Sequence, residues 1–413
     1  MIFRRSPTLR ARPLMRKALF VQFPRRHHRR AAALIPLAVI SSSVLSACAK
    51  NAPQDTFKPE GPAARDITRL AVPVFAISVG IGIVVYAVIL FCAVKFRRKG
   101  DDHIPKQVHG NSTLEIAWTI VPAALLAGVG VFSVGAVFKQ AREPKDAYNI
   151  TVVGHQWWWE YQYPQPGQTK LSPKLVTMPD PNDKDVAKKQ GREQKNLANV
   201  LKQAGPVVVS ANELHVPAGR NIRLAITSND VMHNYWVPKL AGKIYAIPGR
   251  INHLTLNSDL NDAGKLIYGQ CAEFCGTSHA NMRFKVRIDS PADFEKWLAH
   301  QASPVAEPTT DLAKAGKELF SSVGCTACHW RESSKTNGFE ADDTGALGIK
   351  IGPNLTHVGE RKHFAGATAE LNTPNLKAWL RNPQLFKPGA KMVIRKLNED
   401  EVTKLVAYIE SLK

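Results

Sequence analysis

Residues 269–282, GQCAEFCGTSHANM, set two thiols, an imidazole and a thioether in step: Cys271, Cys275, His279 and Met282. The chain of 413 residues holds only six cysteines and six methionines, so this grouping concentrates its soft ligands. In an oxidising compartment a Cys271–Cys275 disulfide is the simplest use of the thiols. A disulfide needs neither His279 nor Met282 behind it, nor His233 in the distant NDVMHNYWVP. Zinc accepts thiolate and imidazole but takes thioether poorly. Thiolate, thioether and imidazole together select copper. A mononuclear blue-copper site uses one cysteine, whereas two thiolates can bridge a pair of copper ions. Each ion then keeps one terminal imidazole, with Met282 and a main-chain carbonyl between the cysteines as weak axial ligands. An electron shared over two metals changes their geometry little, which suits a relay and not a catalyst.

A second cluster, Cys325, Cys328 and His329, has the C-x-x-C-H spacing of covalent haem attachment. The thiols bond the haem vinyl groups and His329 ligates iron from one face. A zinc site or a redox C-x-x-C shares part of the spacing, but the appended histidine and the helical setting favour haem. The one methionine beyond residue 282 is Met392, in KPGAKM, and a thioether opposite histidine raises the iron potential, as an electron carrier needs. His357 and His363 are the alternative sixth ligands. Pro353, in GPNL, stands where related cytochromes use a proline carbonyl to orient the proximal histidine, and Phe320 and Trp379 are expected against the porphyrin.

These clusters need elements to hold them. Between residues 147 and 289, short β-rich runs (YNITVVG, WWWEYQY, NIRLAITS, NHLTLNS, KLIYGQ, RFKVRI) alternate with turns, which predicts an antiparallel sandwich or barrel over 145–300. A polar insertion at about 165–205 interrupts it. The helical stretch PADFEKWLAHQ and a Pro/Ala/Thr-rich linker, 301–310, lead to a helical domain, 311–413, with segments DLAKAGKELFSS, TPNLKAWLRN and EDEVTKLVAYIESL. Upstream, residues 67–94 and 114–138 are each apolar over more than the ~20 residues that span a bilayer. Lys95, Arg97, Arg98, Lys99 and Lys106 place their connecting loop in the cytoplasm and both ends of the hairpin outside. Cys92, within the first span, reads as packing.

The formal charge of +21 suggests nucleic acid until it is located. Residues 1–47 carry ten Arg/Lys and no acid, then an apolar run and LSAC, the layout of an export signal. LSAC resembles a bacterial lipobox, which would make Cys48 an acylated residue preceding an exported segment, 48–66. Without residues 1–47 the net charge is +11, and no nucleic-acid partner is required.

Taken together, GHQWWWEYQY at 154–163, NDVMHNYWVPKLAGKIYAIPGR at 229–250 and the segment 269–282 resemble subunit II of bacterial cytochrome c oxidase, in the caa-type form with a fused cytochrome c domain. The resemblance implies a multidomain membrane protein: a two-helix transmembrane hairpin, a cupredoxin-like Greek-key β-sandwich carrying the binuclear Cu-A centre, and an all-α class I cytochrome c domain. By position it implies His233, Cys271, Glu273, Cys275, His279 and Met282 as copper ligands, Glu273 acting through its carbonyl. The Glu273 carboxylate matches the family's ligand to a magnesium ion shared with subunit I. Trp157 matches the aromatic that accepts electrons from cytochrome c. Glu115 matches a glutamate at the mouth of a proton path into subunit I, although Ser112–Glu115 also reads as a capping box for the second span. Trp158 and Trp159, like His155, His215 and His253, read as structural.

The implied role is electron input to a proton-pumping oxidase, on the outer face of the bacterial cytoplasmic membrane. Its partners would be oxidase subunits I and III, membrane lipid, and cytochrome c or a quinol–cytochrome c reductase as donor. Two features depart from the family. Residue 245 is Tyr where many relatives have Asp, and residues 147–300 carry 18 Lys/Arg against 13 Asp/Glu, where relatives usually present an acidic face. A donor tethered through 301–310 would need little charge steering, since a short flexible linker gives roughly millimolar effective concentration. The rival readings are the input subunit of a Cu-A-containing nitric oxide reductase and a lipid-anchored copper carrier.

Overall fold

Two long apolar runs, free of charge from Leu70 to Val94 and from Ile116 to Phe138, fold as helices α1 (Pro62–Lys95) and α2 (Ser112–Ala141). They belong to a computed structural model that describes residues 52–97, 100, 106–168, 207–332, 339–341, 347–349 and 351–413. The export signal, Cys48 and most of the 165–205 insertion lie outside the described residues. At about 1.5 Å per residue either helix exceeds the ~30 Å hydrocarbon core of a bilayer. Phe75, Val84 and Leu90 on α1 and Trp118, Leu126 and Phe132 on α2 are exposed, an apolar surface suited to lipid or to membrane-embedded partners.

The cap of α2 is Asn111 and not Ser112. Its side chain accepts the Leu114 N–H at 3.2 Å, and the Glu115 carboxylate accepts the Asn111 N–H at 3.3 Å. The box expected at Ser112 forms one residue earlier because Asn111 is the last extended residue and offers a carboxamide acceptor there. Both ends of the hairpin meet the β domain. Arg65 grips Asp259 through two bonds of 2.6 and 2.9 Å, Glu60 bridges Lys239 and Lys265, and Lys139 at the end of α2 reaches Asp66 of α1 at 2.7 Å.

Among the described residues ten strands follow: β1 (Tyr148–His155), β2 (Trp158–Tyr163), β3 (Val208–Ala211), β4 (Glu213–Pro217), β5 (Asn221–Ser228), β6 (His233–Trp236), β7 (Lys243–Ala246), β8 (Asn252–Asn257), β9 (Leu266–Cys271) and β10 (Arg283–Asp289). They form two five-stranded sheets, β3-β2-β1-β5-β8 and β4-β10-β9-β6-β7. On β5, Ile222, Leu224 and Ile226 are buried while their neighbours are less so, the period-two pattern of a strand on a core. Ile150, Val152, Trp159, Tyr161, Phe284 and Val286 complete that core. The sandwich is not wholly antiparallel. β1 runs parallel to β5 and β4 parallel to β10; β2–β4 intervene in sequence in the first pair and β5–β9 in the second, so neither pair is joined by a hairpin. Helix α3 (Pro291–Ala302) closes one end, with Phe294 edge-on to Tyr148 at 5.3 Å.

The last unit is built on α4 (Asp311–Ser322), α5 (Thr373–Arg381), α6 (Pro383–Phe386) and α7 (Glu399–Ser411). Helix α7 buries Val402, Leu405, Val406 and Ile409 and starts in a reciprocal Asn398–Glu401 cap. Phe320 of α4 meets Tyr408 of α7 edge-on at 5.4 Å. Two short strand pairs, Phe339–Ala341 with Leu347–Ile349 and His363–Phe364 with Ala369–Glu370, supplement the expected helices.

Candidate metal centre and haem cleft

The soft-ligand segment is the loop from β9 to β10. β9 ends on Cys271 and β10 starts at Arg283; the Cys271 N–H donates to the Met282 carbonyl at 3.0 Å, folding the loop back on itself. A tight turn at His279–Asn281 lifts His279 toward the thiols. β6 runs beside β9, with Tyr235 opposite Cys271, which brings His233 to the same end of the sheet.

The donor atoms converge. Sγ of Cys271 and Cys275 are 3.8 Å apart; His233 Nδ1 is 4.0 Å from the first and His279 Nδ1 3.6 Å from the second. Met282 Sδ stands 3.8 Å from Cys275 Sγ, and the Glu273 main-chain oxygen 3.2 Å from Cys271 Sγ. His233, Cys271, Cys275 and Met282 are buried and His279 is half-buried. The His233 Nε2 is taken by Asp230 at 2.8 Å, so Nδ1 is the nitrogen left to face the sulfurs. Burial opposes a charge on His233, yet its bonds to Asp230 and Cys271 outweigh that and raise its pKa. Burial likewise works against the Asp230 anion, but bonds from His233 and the Gln156 and Val231 amides hold it down to about 2. The bond from Cys275 draws the Cys271 thiol down and raises Cys275 in return, and a metal binds such a pair as thiolates. Buried, soft and anionic, this donor set fits copper.

Gly154 makes room for the ligand ring: a Cβ there would lie 2.8 Å from His233 Cδ2. Trp159 packs edge-on to the same ring, and Trp158 stacks on His155 at 4.1 Å, both in structural positions. His215 bonds Asp289 at 2.7 Å and stacks on Trp297. Glu273 is half-buried beside the thiols, Tyr245 is partly exposed on β7, and Glu115 sits at the start of α2.

Cys325, Cys328 and His329 line a largely apolar cleft of roughly 360 Å³, with Met392, Phe320 and Trp379. His329 Nδ1 lies 2.7 Å from the Pro353 carbonyl; donating there frees Nε2 for iron. The Trp379 indole N–H donates to Met392 Sδ at 3.1 Å, fixing the thioether. His357 is tied through Nε2 to the Ser303 carbonyl and does not line the cleft, whereas His363 does. The buried Nε of Arg361, another lining residue, has no partner among the described residues: a donor that a haem carboxylate would satisfy. The cleft residues fit a covalently held haem.

The two sites meet at Trp157, which with Gln156 also lines the cleft. Its indole N–H donates to the Cys275 carbonyl at 3.0 Å, and Gln156 Nε2 donates to the same oxygen at 2.8 Å. Ser278 Oγ donates to the Pro388 carbonyl at 2.5 Å, the Arg283 N–H to the Gly366 carbonyl at 3.1 Å, and Lys387 to the Trp157 carbonyl. Lys391, beside Met392, is 3.7 Å from Asp230. At the far side, His300 of α3 pairs with Glu360 at 2.9 Å. Sequence reasoning missed Asp230, Arg361, Lys387 and Lys391. An acid three residues before a ligand histidine was a usable signal for Asp230; the lysines carry none.

Comparison with known proteins matches three families along the chain. The family "Cytochrome C oxidase subunit II, transmembrane domain" matches residues 54–135, "Cytochrome C oxidase subunit II, periplasmic domain" residues 148–288, and "Cytochrome c" residues 313–413. Cytochrome c oxidase subunit 2 of Alkalihalophilus pseudofirmus is 32% identical over 394 residues, 93% of this chain and 97% of the relative. The Bacillus subtilis protein of the same name is 31% identical over 400 residues, covering 92% and 96%. A crystal structure of the periplasmic domain of subunit II from Bradyrhizobium japonicum aligns with 38% of this chain and 93% of its own at 30% identity, with a TM-score of 0.25. The chain belongs to the cytochrome c oxidase subunit II family, in the form that continues into a cytochrome c domain.

Proposed function

We propose that this chain receives electrons from a cytochrome donor at its own haem domain and passes them through its copper domain to oxidase subunit I. There oxygen is reduced to water with proton pumping. The observation that carries this reading is the position of Trp157, which lines the haem cleft while its indole N–H holds the Cys275 carbonyl. Haem and the copper pair supply one-electron redox chemistry when bound. The residues do the rest. Asp230 fixes the His233 ring, Pro353 fixes His329, and Trp379 fixes Met392, so that the ligands are set before and after each electron. Trp157 is only 7% exposed, so a separate cytochrome cannot reach it while the haem domain is docked. The external donor therefore reduces the haem domain, and a quinol–cytochrome c reductase or a small cytochrome fits that role.

The remaining assignments follow the same reading. The ligand set is His233, Cys271, Glu273, Cys275, His279 and Met282 for Cu-A, and Cys325, Cys328, His329 and Met392 for haem c. The Glu273 carboxylate would share magnesium with subunit I, Glu115 would stand at the mouth of a proton path, and Cys48 would carry lipid. The hairpin crosses the bacterial cytoplasmic membrane, with the copper and haem domains on its outer face and subunits I and III beside it. The test is gas consumption by the native complex purified through this chain and supplied with reduced cytochrome c. Oxygen uptake without comparable nitric oxide turnover is expected; nitric oxide consumption with little oxygen uptake would move the chain to a nitric oxide reductase.

A further inference from the structure

Lys387 occupies an unusual place. Its side chain is buried at the junction of the haem and copper domains, and among the described residues its hydrogen-bond partners are main-chain oxygens and no carboxylate. Its Nζ instead donates to two main-chain oxygens, those of Trp157 and Ala365, the latter at 3.2 Å. The two oxygens belong to different domains: Trp157 follows β1 of the sandwich, while Ala365 lies in the haem domain. A buried ammonium is costly unless its donors are answered, and an apolar side chain of the same length would fill the space at lower cost. The lysine therefore contributes direction more than packing.

The backbone around it is shaped for the contact. Ala365, Gly366 and Ala367 take left-handed conformations in succession, with φ of 53°, 73° and 55°. The turn aims the Ala365 carbonyl at Lys387 and the Gly366 carbonyl at the Arg283 N–H. A Cβ on Gly366 would stand 2.5 Å from the Asn281 oxygen and 2.6 Å from Lys387 Nζ, so the two domains approach as closely as a glycine permits.

We propose that Lys387 is a positioning residue, a latch that ties the backbone of Trp157 to the haem domain and so holds the docked state in which electrons cross. The inference rests on the reading that transfer occurs within one chain. It gives Trp157 two fixed points: its indole N–H on the copper loop and its carbonyl on the haem domain. Without the latch, Ser278–Pro388 and Arg283–Gly366 are the hydrogen bonds left between the copper loop and the haem domain among the described residues, and the junction opens more often.

The experiment uses the complete, fully loaded oxidase with Lys387→Met, which keeps the side-chain length and removes both donors. Hydrogen exchange is read at residues 278–284, because the Arg283 N–H bonds the Gly366 carbonyl across the junction. Exchange there is expected to quicken by roughly several-fold to tenfold, the factor carried by one hydrogen bond. Haem-to-copper transfer slows with it, while the haem and copper absorption stay as in the parent and Lys387→Arg restores part of the protection. If Lys387→Met loses either cofactor, Lys387→Gln, which keeps a donor without the charge, takes its place with the same readouts. Unchanged protection at Arg283 overturns the latch. Faster exchange with unchanged transfer keeps the latch and overturns transfer within one chain.

Discussion

The indole N–H of Trp157 donates to the main-chain oxygen of Cys275 across 3.0 Å. One residue of the haem cleft thereby touches the backbone of a copper-loop cysteine, with no side chain between. Trp157→Phe keeps an aromatic side chain and removes that donor. Haem-to-copper transfer in the loaded complex should fall by roughly tenfold or more, in line with the sensitivity of positioned reactions to one lost orienting contact. The copper spectrum should remain. Stopped-flow absorption measures both, and an unaltered rate would remove the bond from the account.

Asp230 holds His233 by its Nε2 and also accepts the Gln156 N–H at 2.6 Å. Asp230→Ala should weaken copper retention about 10- to 100-fold, the usual cost of losing a partner that orients a ligand. Competition with a copper chelator gives the affinity directly. Retention equal to the parent would mean that the ring is held by packing against Trp159 alone.

Trp379 draws electron density from Met392 Sδ through its N–H. In Trp379→Phe the sulfur becomes the better donor and favours the oxidised iron, so the haem potential should fall while covalent attachment persists. Redox titration of the haem band is the measurement; a rise in potential would contradict the assigned geometry.

The start of α7 predicts an acid-sensitive step. Arg395 first, then the Asn398 N–H, hold Glu401 down to about 2, below its ordinary 4.5. A depressed carboxylate pKa stabilises the fold above the unfolded value and loses that contribution as pH falls through the folded one. Glu401→Gln should therefore lower the Tm of the haem domain at pH 7, and the deficit should shrink as pH falls from about 4.5 to about 2. A deficit that does not vary with pH would show that the carboxylate charge plays no part.

Much of the site was readable because it is local. Cys271, Cys275, His279 and Met282 share one loop, and Cys325, Cys328 and His329 one turn, so spacing alone exposes them. The helices at 311–322, 373–381 and 399–411 and both membrane helices announce themselves by long periodic or continuous apolar runs. What was missed is non-local or short. β3, β4, β6 and β7 have only four or five residues each, too few for alternation to stand out. The parallel pairs β1–β5 and β4–β10 depend on which strands cross between sheets, and no turn sequence encodes that. Lys387 and Lys391 gain meaning only when the haem domain docks, because their partners Trp157 and Asp230 lie more than 150 residues away.

The most direct measurement is of the electron itself. In the complete oxidase the haem would be reduced rapidly and the copper band followed over a range of enzyme concentrations. Transfer within one chain predicts a single first-order phase with a rate independent of concentration. A rate that rises in proportion to concentration would contradict it, since electrons would then be passing between molecules and not across Trp157.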